Sequence, residues 1–191
     1  MKATRYLALV LLLSLPLLGM VGRQLQILNQ GIEVALETVP VDPRSLFRGD
    51  YVRLNYAISR LNTADLGGDD EFALHDDIYV QLAPGKGLYA AAGIFRQLPP
   101  VPDGHVVIRG RVSSVVKRQS NRDAVKAPSA PATLSVRYGV ESYFVPEGTG
   151  RELEKQAGLG EVTVLVAILE SGDAAIKGLR IDGGNYYISP L

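Results

Sequence analysis

The stretch VTVLVAILESGDAAIKGLRI, Val162 to Ile181, decides the fold class. Val162–Glu170 and Ala174–Ile181 are rich in branched apolar residues, and Ser171-Gly172-Asp173 lies between them. Branched side chains lose freedom in a helix but pack well on a pleated surface, while Gly and Asp suit a tight reversal. The stretch therefore predicts a β-hairpin. The same signals recur upstream. Ile32–Val39 alternates Ile32, Val34, Leu36 and Thr38 against Glu33, Ala35 and Glu37. Tyr51–Ile58 sets Val52, Leu54, Tyr56 and Ile58 against Tyr51, Arg53, Asn55 and Ala57. Ile78–Leu82 and Leu88–Phe95 flank Pro84-Gly85-Lys86-Gly87, a second predicted hairpin. His105–Val116 and Thr133–Val145 are the longest predicted strands, and Tyr186–Ile188 adds a short last one. Many short strands with almost no helical period predict a mainly β protein. Its architecture is expected to be one antiparallel β-sandwich or partly open barrel with short helical turns.

Three segments interrupt this pattern. Ser59–Asp77 is polar and acidic, with room for one helical turn. Lys117–Pro131 is poor in apolar residues and carries two prolines, which predicts a loop prone to proteolysis. Pro146–Ala157 predicts a short surface helix started by Thr149. No internal repeat or linker divides the chain, so one folded domain suffices.

The N-terminus follows different physics. Lys2 and Arg5 precede the uncharged run YLALVLLLSLPLLGMVG, Tyr6 to Gly22, and Arg23 closes it. As a helix those 17 residues reach about 25 Å, enough for a bilayer core if the stems of Arg5 and Arg23 snorkel outward. No Ala-x-Ala cleavage box follows, which favours an uncleaved anchor over a secretory signal. Residues 1–23 are thus expected to form a transmembrane anchor and residues 24–191 a single extracytoplasmic domain. The excess of positive charge before the run places the N-terminus in the cytoplasm. The expected arrangement is a single crossing of the cytoplasmic membrane.

Composition excludes several functions. The 191 residues include no Cys and two His, and 20 Lys+Arg balance 20 Asp+Glu. No disulfide framework, thiolate metal site or Cys nucleophile is available. A neutral chain lacks the basic footprint of a nucleic-acid binder. Asp65, Asp69, Asp70, Glu71, Asp76 and Asp77 match no calcium-loop spacing, and Gly67-Gly68-Asp69-Asp70-Glu71-Phe72 has one Asp too many for a cyclase signature. No metal and no cofactor is expected.

One motif stands apart: Gly49-Asp50-Tyr51-Val52-Arg53-Leu54-Asn55-Tyr56, preceded by Val41 to Arg48. A second block is Tyr138-Gly139-Val140-Glu141-Ser142-Tyr143-Phe144-Val145-Pro146-Glu147-Gly148. Together, from about Ile32 to Gly183, these resemble the GDYXXLXY family. The resemblance implies a membrane-associated bacterial protein, often encoded beside polytopic membrane proteins, and implies no reaction, cofactor or catalytic residue.

Read physically, Gly49, Leu54 and Tyr56 are structural: Gly49 for a turn, Leu54 and Tyr56 for the core. A hairpin corner is the simplest use of the motif. Its other face offers Arg44, Arg48, Asp50, Tyr51 and Arg53 as a surface for a ligand or partner, with Glu141 and Glu147 contributed by the second block. The expected function is a membrane-anchored binding or scaffolding module, with a polytopic membrane protein as partner. The alternative is an exported hydrolase using Asp50 with Glu141 or Glu147 as acid and base.

Overall fold

The fold is organised around a strand that is apolar on both faces. A computed structural model describes residues 2–39, 51–117, 131–144, 162–181 and 185–188. Among the described residues, one α-helix, α1 (Lys2–Gln30), precedes twelve strands. These are β1 (Ile32–Glu37), β2 (Tyr51–Arg53), β3 (Arg60–Asn62), β4 (Gly67–Gly68), β5 (Asp77–Pro84) and β6 (Tyr89–Phe95). Next come β7 (Val106–Lys117), β8 (Ala132–Arg137), β9 (Ser142–Phe144), β10 (Val162–Ile168), β11 (Ala174–Ile181) and β12 (Asn185–Ile188).

A four-stranded sheet has the order β1-β10-β11-β12, and a six-stranded sheet the order β3-β8-β7-β5-β6-β4. A two-stranded ribbon, β2-β9, completes the set. Among the described strands every pairing is antiparallel except β4 with β6, so the larger sheet is mixed, and neither sheet closes into a barrel. The two sheets share one core. Val34, Leu36, Val164 and Val166 of the smaller sheet join Ile78, Val80, Ile108 and Leu134 of the larger. Alternation works as anticipated in β5, where Ile78, Val80 and Leu82 are buried between partly exposed neighbours. The hairpins β5-β6 and β10-β11 form as the turn residues predict, and Gly172 takes φ 86° in the second.

β10 does not alternate. Val162, Val164, Val166 and Ile168 face the shared core, yet Leu165 and Ala167 are buried too. The cover on the outer face is the end of α1, where Ile27 packs against Ala167 and Ala175. The helix runs without interruption past Gly22 to Gln30 and lands on the sheet. Gly31 makes that landing possible. Its amide donates to the Ile27 carbonyl at 2.9 Å. A Cβ there would sit 2.6 Å from Ile27 O and 2.8 Å from Ile168 N, so only glycine lets helix and strand approach this closely. An ionic link reinforces the joint. The Asp173 carboxylate in the β10-β11 turn accepts from Arg23 of α1 at 2.5 Å and Arg109 of β7 at 2.8 Å, and its side chain is only 11% exposed. Helix, turn and second sheet thus meet at one side chain.

Three sequence expectations are corrected. Tyr51–Ile58 is not one strand: pairing with β9 stops at Arg53, Tyr56 bridges to Thr38 beside β1, and Ala57–Ser59 form a single 3-10 turn. Thr133–Val145 breaks at Gly139, whose φ of 81° turns the chain out of the large sheet and into β9. The Ser59–Asp77 interruption itself contains β3 and β4. Most of the Lys117–Pro131 loop and the Pro146–Ala157 helix lie outside the described residues.

Candidate functional site

The two sequence blocks meet. β2 pairs with β9 in the register Tyr51 to Phe144, Val52 to Tyr143 and Arg53 to Ser142. The Leu54 amide continues the contact by donating to the Glu141 carbonyl at 2.9 Å, and the Val39 amide donates to Asn55 O at 2.9 Å. The segment from Arg53 to Tyr56 therefore runs from β9 to the end of β1, crossing between structural layers. The corner is not a local hairpin: its partner lies more than eighty residues downstream.

Two tyrosines fasten the blocks reciprocally. The Tyr56 hydroxyl, from the first block, donates to Val140 O of the second. The Tyr138 hydroxyl, from the second, donates to Ile58 O just past the first, at 2.6 Å. Both rings are in the core, with Tyr56 1% and Tyr138 7% exposed. Burial, with the Glu141 charge as a smaller contribution, drives both phenols far above the usual tyrosine range, so both are neutral donors. Each ring places apolar area in the core while its hydroxyl satisfies a backbone carbonyl.

Glu141 holds the turn that makes this possible. Its carboxylate accepts from the Tyr138 amide and, at 3.0 Å, from the Gly139 amide. Both oxygens are thus committed to backbone N–H groups.

Beside the clasp lies a polar cleft of about 690 Å3. Arg53, Arg60 and Arg137 line it, with Asn55, Ser59, Ser113, Ser135 and Ser142 between them. Arg60 stands opposite Ser135 in the β3-β8 register, and Arg137 follows two residues along β8 on the same face. The opposite face sends Leu61 and Leu134 into the core. Ser113 is the bulged residue of β7, and its hydroxyl donates to Ser135 O at 3.0 Å.

Of the residues singled out from sequence, Arg53 and Glu141 line this cleft, and Leu54 and Tyr56 form its buried wall. Tyr51 is placed by its backbone pairing alone. Arg44, Arg48, Gly49, Asp50 and Glu147 lie outside the described residues. Arg60, Arg137 and Ser135 carried no local signal, because the cleft is assembled from strands far apart in the chain. Tyr138 opens the second block and could have been matched to Tyr56 only with knowledge of that pairing. Within the acidic stretch, two carboxylates bind main-chain amides. Asp76 accepts from the Ala73 amide at 2.8 Å. Asp69 accepts from the Arg96 amide at 2.8 Å, and the Arg96 guanidinium donates to Glu71 O while lying over the Phe72 ring. Among the described residues no group of three potential metal ligands occurs.

Fold and site together define a mainly β domain joined to one long apolar helix, with two remote sequence blocks clasped beside a cationic cleft. The chain belongs to the GDYXXLXY family, whose model matches residues 13–179. No curated protein and no solved structure matches it.

Proposed function

We propose that the protein is a single-pass membrane protein whose β-domain stands outside the cytoplasm and binds or scaffolds a polytopic membrane partner. The observation that carries this reading is the helix. Val10–Gln30 has a mean hydropathy of 1.5 and only 6% of its most apolar window is buried, so its Leu, Val and Met side chains from Val10 to Val21 have no protein cover. From Val10 to Val21 the large apolar side chains are 58–71% exposed, on every face. Such a surface costs about 25 cal/mol per Å2 in water, and a bilayer relieves that cost. The family match beginning at residue 13, inside α1, supports a helix retained as part of the protein. Lys2 and Arg5 ahead of the apolar run support an N-in orientation in the bacterial cytoplasmic membrane.

The joint at Ile27, Gly31 and Asp173 supports scaffolding. A domain docked on its own anchor presents a fixed face to neighbouring membrane proteins, unlike one on a slack tether. An alkaline phosphatase fusion after Leu191 should be active and a β-galactosidase fusion there inactive; the reverse pair would overturn the topology. A photocrosslinker at Leu13 in intact membranes should capture an integral membrane protein, whereas lipid adducts alone would remove the partner.

A further inference from the structure

We propose that the cleft beside the clasp binds a small ligand bearing two or more oxyanion groups, carboxylate or phosphate. The charge balance of its lining is the first argument. Three guanidinium groups, those of Arg53, Arg60 and Arg137, face one carboxylate, Glu141, and that carboxylate is already spent on the amides of Tyr138 and Gly139. Among the described residues none of the three arginines has a carboxylate partner.

Strand register supplies the second argument. Arg137 stands directly opposite Arg111 across β7-β8, and like charges in that position repel. Arg111 is answered by Asp77, with contacts of 2.9 and 3.3 Å, which holds the Asp77 carboxyl below its ordinary range. Arg137 receives no such answer. Arg60 lies on the diagonal from it, a spacing of about 7–8 Å in antiparallel sheets. Two planar forks at that separation suit two oxyanions of one molecule, each bound through paired N–H donors.

Size and position narrow the ligand further. A volume of about 690 Å3 falls in the range of small-molecule sites and is far larger than one isolated oxyanion requires. Val39, at the cleft, lies eight residues beyond Gly31, which sits at the helix joint. In extended chain this is about 26 Å, so the cleft is at the end of β1 remote from the anchor. On the single-pass topology proposed above, that end of the domain faces away from the bilayer, so the ligand expected there is a soluble anion and not a headgroup of the protein's own membrane. The inference concerns a different surface from α1 and stands whether or not the helix engages a partner.

The test is isothermal titration of the full chain in detergent micelles with citrate and, separately, pyrophosphate. At least one is expected to bind with Kd below about 100 μM. Citrate alone would identify a carboxylate ligand and pyrophosphate alone a phosphate ligand. The double variant Arg60→Gln, Arg137→Gln should weaken binding by about tenfold or more, while Lys86→Gln, in the remote β5-β6 turn, leaves it unchanged. Arg137→Lys, which keeps the charge but loses the fork, should weaken it too and guards against a folding defect in the double variant. Failure of both probes to bind, or equal weakening by Lys86→Gln and the cleft variants, would overturn the proposal.

Discussion

Tyr56→Ala will destabilise the protein by about 3–5 kcal/mol, measured by urea unfolding of the full chain in detergent micelles. The ring is among the largest fully buried side chains, and its removal empties a space lined by residues of both sheets. The hydroxyl adds a separate contribution. Tyr56→Phe retains the ring but leaves the buried Val140 carbonyl unpaired, at a cost of about 1–3 kcal/mol. Arg53→Ala, three residues earlier and exposed, should stay within about 0.5 kcal/mol of the parent. Equal effects at Arg53 and Tyr56 would refute a motif with one structural face and one exposed face.

Gly31→Val will cost about 3 kcal/mol or more, for a reason of backbone approach. The new Cβ would meet Ile27 O, Ile168 N and, at 3.0 Å, Ala167 C, all main-chain atoms that no rotamer change can move. Overpacking of this kind costs about 1–3 kcal/mol. Relief requires lifting α1 from β10, which exposes Ile27 and forfeits about 1.5–3 kcal/mol of burial. Hydrogen exchange should then report faster exchange at Ala167 and Ala175. A variant within about 0.5 kcal/mol of the parent would show that the helix is not docked on the sheet.

How much of this was legible in the sequence depends on how far apart the interacting residues lie. The β5-β6 and β10-β11 hairpins are local, so alternation and turn residues were sufficient to identify them. Tyr56 and Leu54 announced themselves as core positions by the same alternation. The partner of the first block could not be read, because period-2 patterning records which face is buried and not which strand covers it. β10 shows the same limit. Its run VTVLVAI reads as a hairpin strand, and burial of its outer face becomes visible only with α1 docked on it. Within α1, Arg23 reads as the charge that ends a membrane run, yet its guanidinium is engaged by Asp173, 150 residues away. The cleft was least legible of all, since Arg53, Arg60 and Arg137 come from three strands in two separate sheets. The turn at Gly139 was hidden inside what reads as one long strand, because a single glycine interrupts the alternation without ending it.

The two blocks form one structural unit through reciprocal tyrosines. A double-mutant cycle on Tyr56→Phe and Tyr138→Phe, by urea unfolding of the full chain, tests it most directly. Each hydroxyl fastens the same pair of segments, so losing either loosens the seat of the other. The double variant should therefore be less destabilised than the sum of the singles, with a coupling of about 0.5 kcal/mol or more. Additivity within about 0.3 kcal/mol would contradict the clasp and leave two independent buried tyrosines.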